Sequence, residues 1–408
     1  MRILVVTQYF WPENFRINDL VLRLRDRGHS VTVYTGLPNY PSGKIFPGWG
    51  PFRRLNEIWE GIPIIRFPHF PRGNRRASGM AANFLSFALF GSLLAPFRVR
   101  GDFDIIFVYE PSPITVGLPA ITLKRLRGIP IVFWVQDLWP ESLTSAGGIK
   151  NPWVLKSAET MVRRIYGRCD RILVASRSFV PSVTRHGVPA EKVFYYPQSA
   201  ESLFRPLEVP PEAPERDELP RGFRILFAGN LGVSQSPGTI LEAAELTRSI
   251  PNLHWILIGD GRESDRLARE VRKRNLGGTL HLPGRRPLAS MPVYYSLADV
   301  LLATLKRDPV YSLTVPAKIQ SYLACGRPIL AALDGEGGRI VEEARAGLAV
   351  PAENPEALAR AAVQLSESSE TERKSMGKRA RAYFEANFDP DRLTDQLLDH
   401  LALRTPSA

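Results

Sequence analysis

The sequence predicts two parallel α/β domains in tandem. In both halves short apolar, β-rich runs alternate with helical patterns, the arrangement of parallel sheets covered by helices. At 408 residues the chain exceeds what one ordinary core serves. Between the halves, residues 205–221 hold Pro206, Pro210, Pro211, Pro214 and Pro220 among several acids without apolar period, and so read as a linker. The expected domains are therefore 1–204 and 222–388, with a last helix in 389–408 packing back on the first.

In the first half, strands are expected at 2–6, 31–35, 62–67, 104–109, 130–134, 171–175 and 193–196. In the second they are expected at 223–228, 253–258, 279–282, 299–303, 328–331 and 347–350. The opening run, Ile3 to Thr7, is too short for a signal-peptide core and reads as a first strand. In the helix that follows, Ile17, Leu20, Val21 and Leu24 share one face, and Gly28 ends it. Residues 80–97 carry no charge and are flanked by Arg72, Arg75, Arg76, Arg98 and Arg100. A span there would thread a sheet through a bilayer. Two readings remain: a helix buried on the sheet, or one whose outer face dips into a membrane surface. After Pro390, the residues Leu393, Leu397, Leu398 and Leu401 give the amphipathic closing helix.

Hydrophobic content of 44% and charged content of 23% belong to a soluble globular chain. Two cysteines, Cys169 and Cys325, cannot build a disulfide framework and point to a reducing compartment. No zinc-ligand spacing is present. The net charge of +12 is concentrated in residues 1–200, with 26 Lys+Arg against 13 Asp+Glu; the remainder has 27 against 28. A basic half attracts nucleic acid, anionic lipid or a polyphosphate. Its arginines lie within apolar segments rather than between exposed aromatics, which disfavours nucleic acid.

Ligands of open parallel sheets bind beyond the carboxyl ends of the strands. There the first half places Tyr9, Trp11, Glu13, Asn14 and Arg16 after strand one. It places Glu110 after the fourth strand and Asp137, Trp139 and Glu141 after the fifth. The second half places Gly229, Asn230 and Gly232, then Gly259 and Asp260, then Arg285 and Lys306. Acids at such places are also common helix caps. Val315-Pro316-Ala317-Lys318 opens a short helix whose free amides, positive dipole end and lysine fit a pyrophosphate. A short buried helix with a solvated lysine is the other reading of that segment.

Together these residues resemble the family 4 retaining glycosyltransferases, whose GT-B fold sets two Rossmann-like domains across an interdomain cleft. The second half is similar to that family from Gly229-Asn230-Leu231-Gly232 through Gly259-Asp260-Gly261 to the segment 315–328. The first half resembles the fucosaminyltransferase-like branch of O-antigen and capsule assembly. The motifs that carry this are Tyr9-Phe10-Trp11-Pro12-Glu13-Asn14, Leu37-Pro38-Asn39-Tyr40-Pro41 and Gln136-Asp137-Leu138-Trp139-Pro140-Glu141.

The resemblance implies a metal-independent enzyme with no cofactor. It would move a sugar, an N-acetylated hexosamine or deoxyhexosamine, from a UDP-sugar to a lipid-linked saccharide. It implies catalytic roles for Asp137, Glu13 and Lys318. Donor contacts would come from Asn14, Arg16, Gly229, Asn230, Gly232, Gly259, Asp260, Arg285, Lys306, Val315, Pro316, Ala317, Lys318 and Ser321. Acceptor contacts would come from Tyr9, Trp11, Tyr40, Glu110, Trp139 and Glu141. The family's paired glutamates are replaced here by Leu313 and Ser321, so the usual ribose-binding acid is missing and Ser321 could make only a weaker bond. With the basic first half against an anionic membrane, the protein is expected in the cytoplasm at the inner face of the plasma membrane. A nucleotide-sugar 2-epimerase and a catalytically silent membrane- or polyanion-binding relative are the alternatives.

Overall fold

The computed structural model describes residues 1–73, 77–145 and 148–403; Arg75 and Arg76, expected to flank the apolar helix, lie outside them. Two compact units emerge, residues 1–197 with 391–408, and residues 198–390.

The first unit is built on an eight-stranded sheet. Its strands are β1 (Arg2–Thr7), β2 (Ser30–Gly36), β3 (Asn56–Trp59), β4 (Ile62–Phe67), β5 (Ile105–Glu110), β6 (Ile131–Val135), β7 (Arg171–Val174) and β8 (Val193–Tyr195). Their order is β3-β4-β2-β1-β5-β6-β7-β8. Every pairing is parallel except β3 with β4. Chain progression reverses between β1 and β5, where Ile3 pairs with Ile105 and Thr7 with Tyr109. That reversal makes the crevice in which doubly wound sheets bind ligands.

Strand β3 lies outside the expected set. Its four residues, Asn-Glu-Ile-Trp, alternate exposed and half-buried side chains, so no apolar run announces it. Pairing across a tight hairpin with β4 fixes it. The helix Ile17–Asp26 buries Ile17, Val21 and Leu24. These join Ile3, Val5 and, from helix Pro390–Leu401, Leu393, Leu397 and Leu401 in one apolar cluster. Arg23 and Arg27 on the first helix pair with Asp391 at 2.8 and 3.1 Å.

The second unit has the strands β9 (Phe223–Ala228), β10 (Leu253–Ile258), β11 (Leu280–Gly284), β12 (Val300–Thr304), β13 (Ile329–Ala332) and β14 (Gly347–Val350). Their order, β11-β10-β9-β12-β13-β14, is that of a dinucleotide-binding sheet, and all pairs are parallel. Period-two alternation feeds two cores. Leu226, Ala228, Ile256 and Ile258 face one helical layer, while Ile225, Phe227, Trp255 and Leu257 face the other. Residues 198–221 pack on this unit through Phe204 and Leu219, two apolar anchors too widely spaced to form a pattern. Cys169 and Cys325 are both buried and free.

Candidate functional site

In the second unit, the carboxyl ends of β9 and β10 are closed by two glycines at positive φ. Gly229 has φ +140° and Gly259 has φ +147°. A Cβ on Gly259 would fall 1.8 Å from the Gly229 carbonyl oxygen, so the two turns interlock backbone to backbone. Above Gly229 lies the side chain of Lys318, with Cε 2.9 Å from where a Cβ would stand. The ammonium hydrogen-bonds Gln235 Oε1 and sits 4.0 Å from the Phe227 ring centroid. No acid pairs with it among the described residues, and burial pushes its pKa down to about 7. The helix Ala317–Ala324 starts beside it with Pro316 at the N-cap and no side-chain cap. A desolvated cation, a helix start without a side-chain cap and a glycine floor have the chemistry that suits an anion.

The other donor residues expected in the second unit lie in its strand-end loops and at the start of this helix. Gly229, Asn230 and Asp260 are exposed at the strand ends, and Gly232 is packed against the Asn230 side chain. Leu231 N donates to Asp260 O at 2.9 Å, tying the β9 and β10 loops together. Lys306 is exposed, and its amide donates to Ser234 O at 2.9 Å. Arg285 is exposed, whereas Arg286 is held by Glu218 at 2.7 Å. Val315 and Pro316 are half-buried and Ala317 is exposed. Ser321 departs from its expected role. It is 5% exposed and donates its hydroxyl to Ala317 O, one turn back, so it is directed into its own helix rather than toward a ribose.

The first unit gathers its loops around a buried carboxylate. Glu13 accepts from Phe10 N at 3.2 Å, from Asn39 N at 2.7 Å and from Tyr40 N at 2.6 Å. Burial pushes its pKa up to about 7, against those three amides. It therefore joins the loop after β1 to the loop after β2. This is positioning work and not the catalytic contact expected of it. Arg66 reinforces the junction by donating to Gly36 O at 2.9 Å, to Trp11 O and to Glu57. Tyr9, 3% exposed, stacks on Phe15 at 5.0 Å, which leaves Tyr40, Trp11, Asn14 and Arg16 with accessible surface in this region.

Beyond β5 and β6 the acids divide. Asp137 is half-buried, bonds the Ser142 hydroxyl, and has its pKa pushed up to about 6 by burial. Glu110 is fully buried. One of its oxygens faces the Gln136 and Asp137 amides at 3.4 Å, and burial drives its pKa well up. It supports the Asp137 loop and has no exposed surface for the acceptor contact expected of it. Trp139, 7% exposed, donates to Ser112 Oγ at 3.2 Å and packs edge-on to Phe84, so it is a loop anchor and not an open wall. Glu141 pairs with Arg185.

Gln235, which orients Lys318, lay outside the sequence reading, and Asn39 stood in a motif without a role of its own; it accepts from Arg72 N while its amide donates to Leu37 O. Arg66 had a signal, a lone charge within the apolar strand Ile-Pro-Ile-Ile-Arg-Phe. Among the described residues no group of three or more His, Cys, Asp or Glu is placed to hold a metal ion.

Two Rossmann-like units in one chain, each with its loops gathered at a strand-order reversal, define a GT-B architecture. The HepE protein of Anabaena, solved with UDP and glucose, shares it with a TM-score of 0.70 at 18% identity over 98% of this chain and 99% of that one. Residues 14–198 match the glycosyl transferase 4-like domain, and residues 222–368 match the glycosyl transferases group 1 family. The probable glycosyltransferase WbjE of Pseudomonas aeruginosa is 30% identical over 78% of this chain and 79% of its own length. The putative colanic acid biosynthesis glycosyl transferase WcaI of Escherichia coli K12 is 27% identical over 80% and 82%. The chain belongs to this family of glycosyltransferases, related to family 4.

Proposed function

We propose that the protein transfers a sugar from a UDP-sugar to a lipid-linked saccharide in bacterial surface-polysaccharide assembly, with retention of configuration and without metal. The observation that carries the donor half is Lys318, a partly enclosed ammonium with no acid beside it among the described residues, over the Gly229 turn. A diphosphate supplies the charge that this place lacks. The names of relatives support the polysaccharide setting and the UDP donor: WcaI is named a putative colanic acid biosynthesis glycosyl transferase, and HepE was solved with UDP and glucose.

In this reading Lys318, the amides around Ala317 and the exposed Lys306 and Arg285 neutralise the diphosphate as the bond from C1 to the phosphate oxygen breaks. The acceptor hydroxyl attacks C1 from the face the phosphate leaves, and its proton passes to the departing phosphate oxygen. No protein nucleophile takes part. Asp137, with its carboxyl tuned close to neutrality, is the side chain assigned to the donor sugar. We read that sugar as an N-acetylated hexosamine or deoxyhexosamine. The test is incubation with a panel of UDP-sugars and a lipid-linked saccharide, scored for UDP release and for the mass of the extended lipid. Nucleotide binding without turnover on every acceptor would point to the catalytically silent reading, which the lost glutamates at Leu313 and Ser321 motivate.

A further inference from the structure

The helix Ala77–Arg98 has 22 residues and no charge before Arg98. Asn83, Phe87 and Ala95 on one side are buried. On the other, Leu85, Leu89, Leu93 and Phe97 recur every fourth residue and are 62%, 55%, 58% and 73% exposed. Phe70, 58% exposed, extends the row by packing edge-on to Phe90. A continuous ridge of large apolar side chains on a soluble domain marks a docking surface.

The charge around it selects the partner. Residues 61–101 contain no Asp or Glu; just beyond them stand Glu57, paired with Arg54 at 3.7 Å, Glu60 and the exposed Asp102. At the far end of the helix, Arg98 holds Leu55 O and Asn56 Oδ1, which brings the loop with the exposed Arg53 and Arg54 alongside, and Arg100 is exposed too. An apolar ridge bordered by arginines fits an anionic lipid leaflet. The inner face of the same helix reaches the sheet-edge loops. Asn83 accepts from Gln8 Nε2 at 2.6 Å, and Phe84 packs against Trp139.

Arg72 stands just before the helix. Its amide is fixed by Asn39 Oδ1 at 3.1 Å, and its guanidinium lies 5.9 and 5.4 Å from the ring centroids of Tyr9 and Tyr40. Its side chain meets Met80 Sδ through Nη2 at 3.8 Å and bonds the Tyr9 hydroxyl, and no acid pairs with it among the described residues. The planar donor fork is therefore available to phosphate.

We propose that the Leu85-Leu89-Leu93-Phe97 ridge docks on an anionic leaflet and that Arg72 takes the phosphate of a lipid-linked acceptor anchored in that leaflet. The inference rests on the acceptor class proposed above and adds where it is met. The full chain is sedimented with equimolar phosphatidylglycerol–phosphatidylcholine vesicles, and with phosphatidylcholine vesicles with or without polyprenyl phosphate. Leu85→Glu/Leu89→Glu/Leu93→Glu is expected to lower the fraction bound to anionic vesicles about tenfold or more. Leu89→Glu alone should lower it in the same direction, and UDP binding should be kept in both. Arg72→Gln is expected to keep binding to phosphatidylglycerol vesicles and to lose the extra binding that polyprenyl phosphate confers.

Wild-type retention by the triple variant overturns the ridge assignment. So does a wild-type dimer that ignores vesicles and is split by the same substitutions, which would make a second copy the occupant. An unchanged polyprenyl phosphate increment in Arg72→Gln overturns the phosphate assignment. Loss of UDP binding by the wild type would instead strike the donor reading and leave the vesicle result standing.

Discussion

Lys318 lies across Gly229 so closely that a methyl group on the glycine would stand 2.9 Å from the lysine Cε and 3.4 Å from its Nζ. The floor and the cation of the anion site are therefore one packing unit. Gly229→Ala adds a Cβ at φ +140° and displaces the ammonium, so both fold and site are affected. The expected stability loss is about 1–3 kcal/mol, with weakened UDP-glucose affinity in calorimetry. A variant that melts lower but binds with wild-type affinity would separate the two residues.

Donor binding should depend on pH through the same lysine. Its folded pKa is lowered to about 7. Phosphate favours the charged form, so affinity for UDP-glucose, which has no ionisation of its own near neutrality, should fall as pH rises above 7. The decline approaches about tenfold per pH unit until the residual neutral-lysine affinity is reached. A pH-independent affinity from 6 to 9 would exclude Lys318 from the phosphate.

Stability should move the opposite way with pH. Between the folded value and the ordinary lysine value of 10.5 the unfolded chain holds the extra proton, so stability attributable to this group rises across that interval. Lys318→Met should therefore raise the melting temperature most at pH 6 and least near pH 10. Equal shifts at the two pH values would mean that the lysine is well solvated in the folded protein.

Glu13 offers a test of structure without chemistry. One of its oxygens accepts two amides and the other accepts Phe10 N, so the amide nitrogen of glutamine must confront at least one backbone donor. Glu13→Gln should cost about 1–3 kcal/mol in chemical denaturation. Its transfer rate at low temperature should follow the fraction folded. Full stability with lost transfer would return Glu13 to a catalytic role.

Asp137→Asn keeps the shape of the loop, where the side chain meets the Ser142 hydroxyl. UDP binding should be unchanged and sugar transfer should drop by about two orders of magnitude. A fall in melting temperature with proportionate activity loss would instead mark Asp137 as a loop cap.

How much of this was legible in the sequence differs by element. Buried strands such as Leu253–Ile258 and Phe223–Ala228 announce themselves, because a strand covered on both faces is apolar throughout. Strand Asn56–Trp59 does not, since an edge hairpin is defined by its partner β4. Lys318 was legible because proline, lysine and a closing Cys-Gly frame a short helix. Its partner Gln235 was not, because the contact joins residues 83 positions apart. The sequence told that Glu13 and Glu110 sit at strand ends and Ser321 within a short helix. It could not tell which way each side chain turns, and the structure turns Glu110 and Ser321 inward. In the sequence Arg72 is a flanking charge; in the fold its guanidinium lies beside the rings of Tyr9 and Tyr40, which are 63 and 32 positions away.

Calorimetric titration of UDP into the wild type and into Lys318→Ala reads the enclosed cation directly. The anion site described here predicts measurable binding by the wild type and at least a tenfold loss in the variant, about 1.4 kcal/mol or more, with the fold intact by circular dichroism. Equal UDP affinity in the two proteins, or no binding by the wild type, would contradict it.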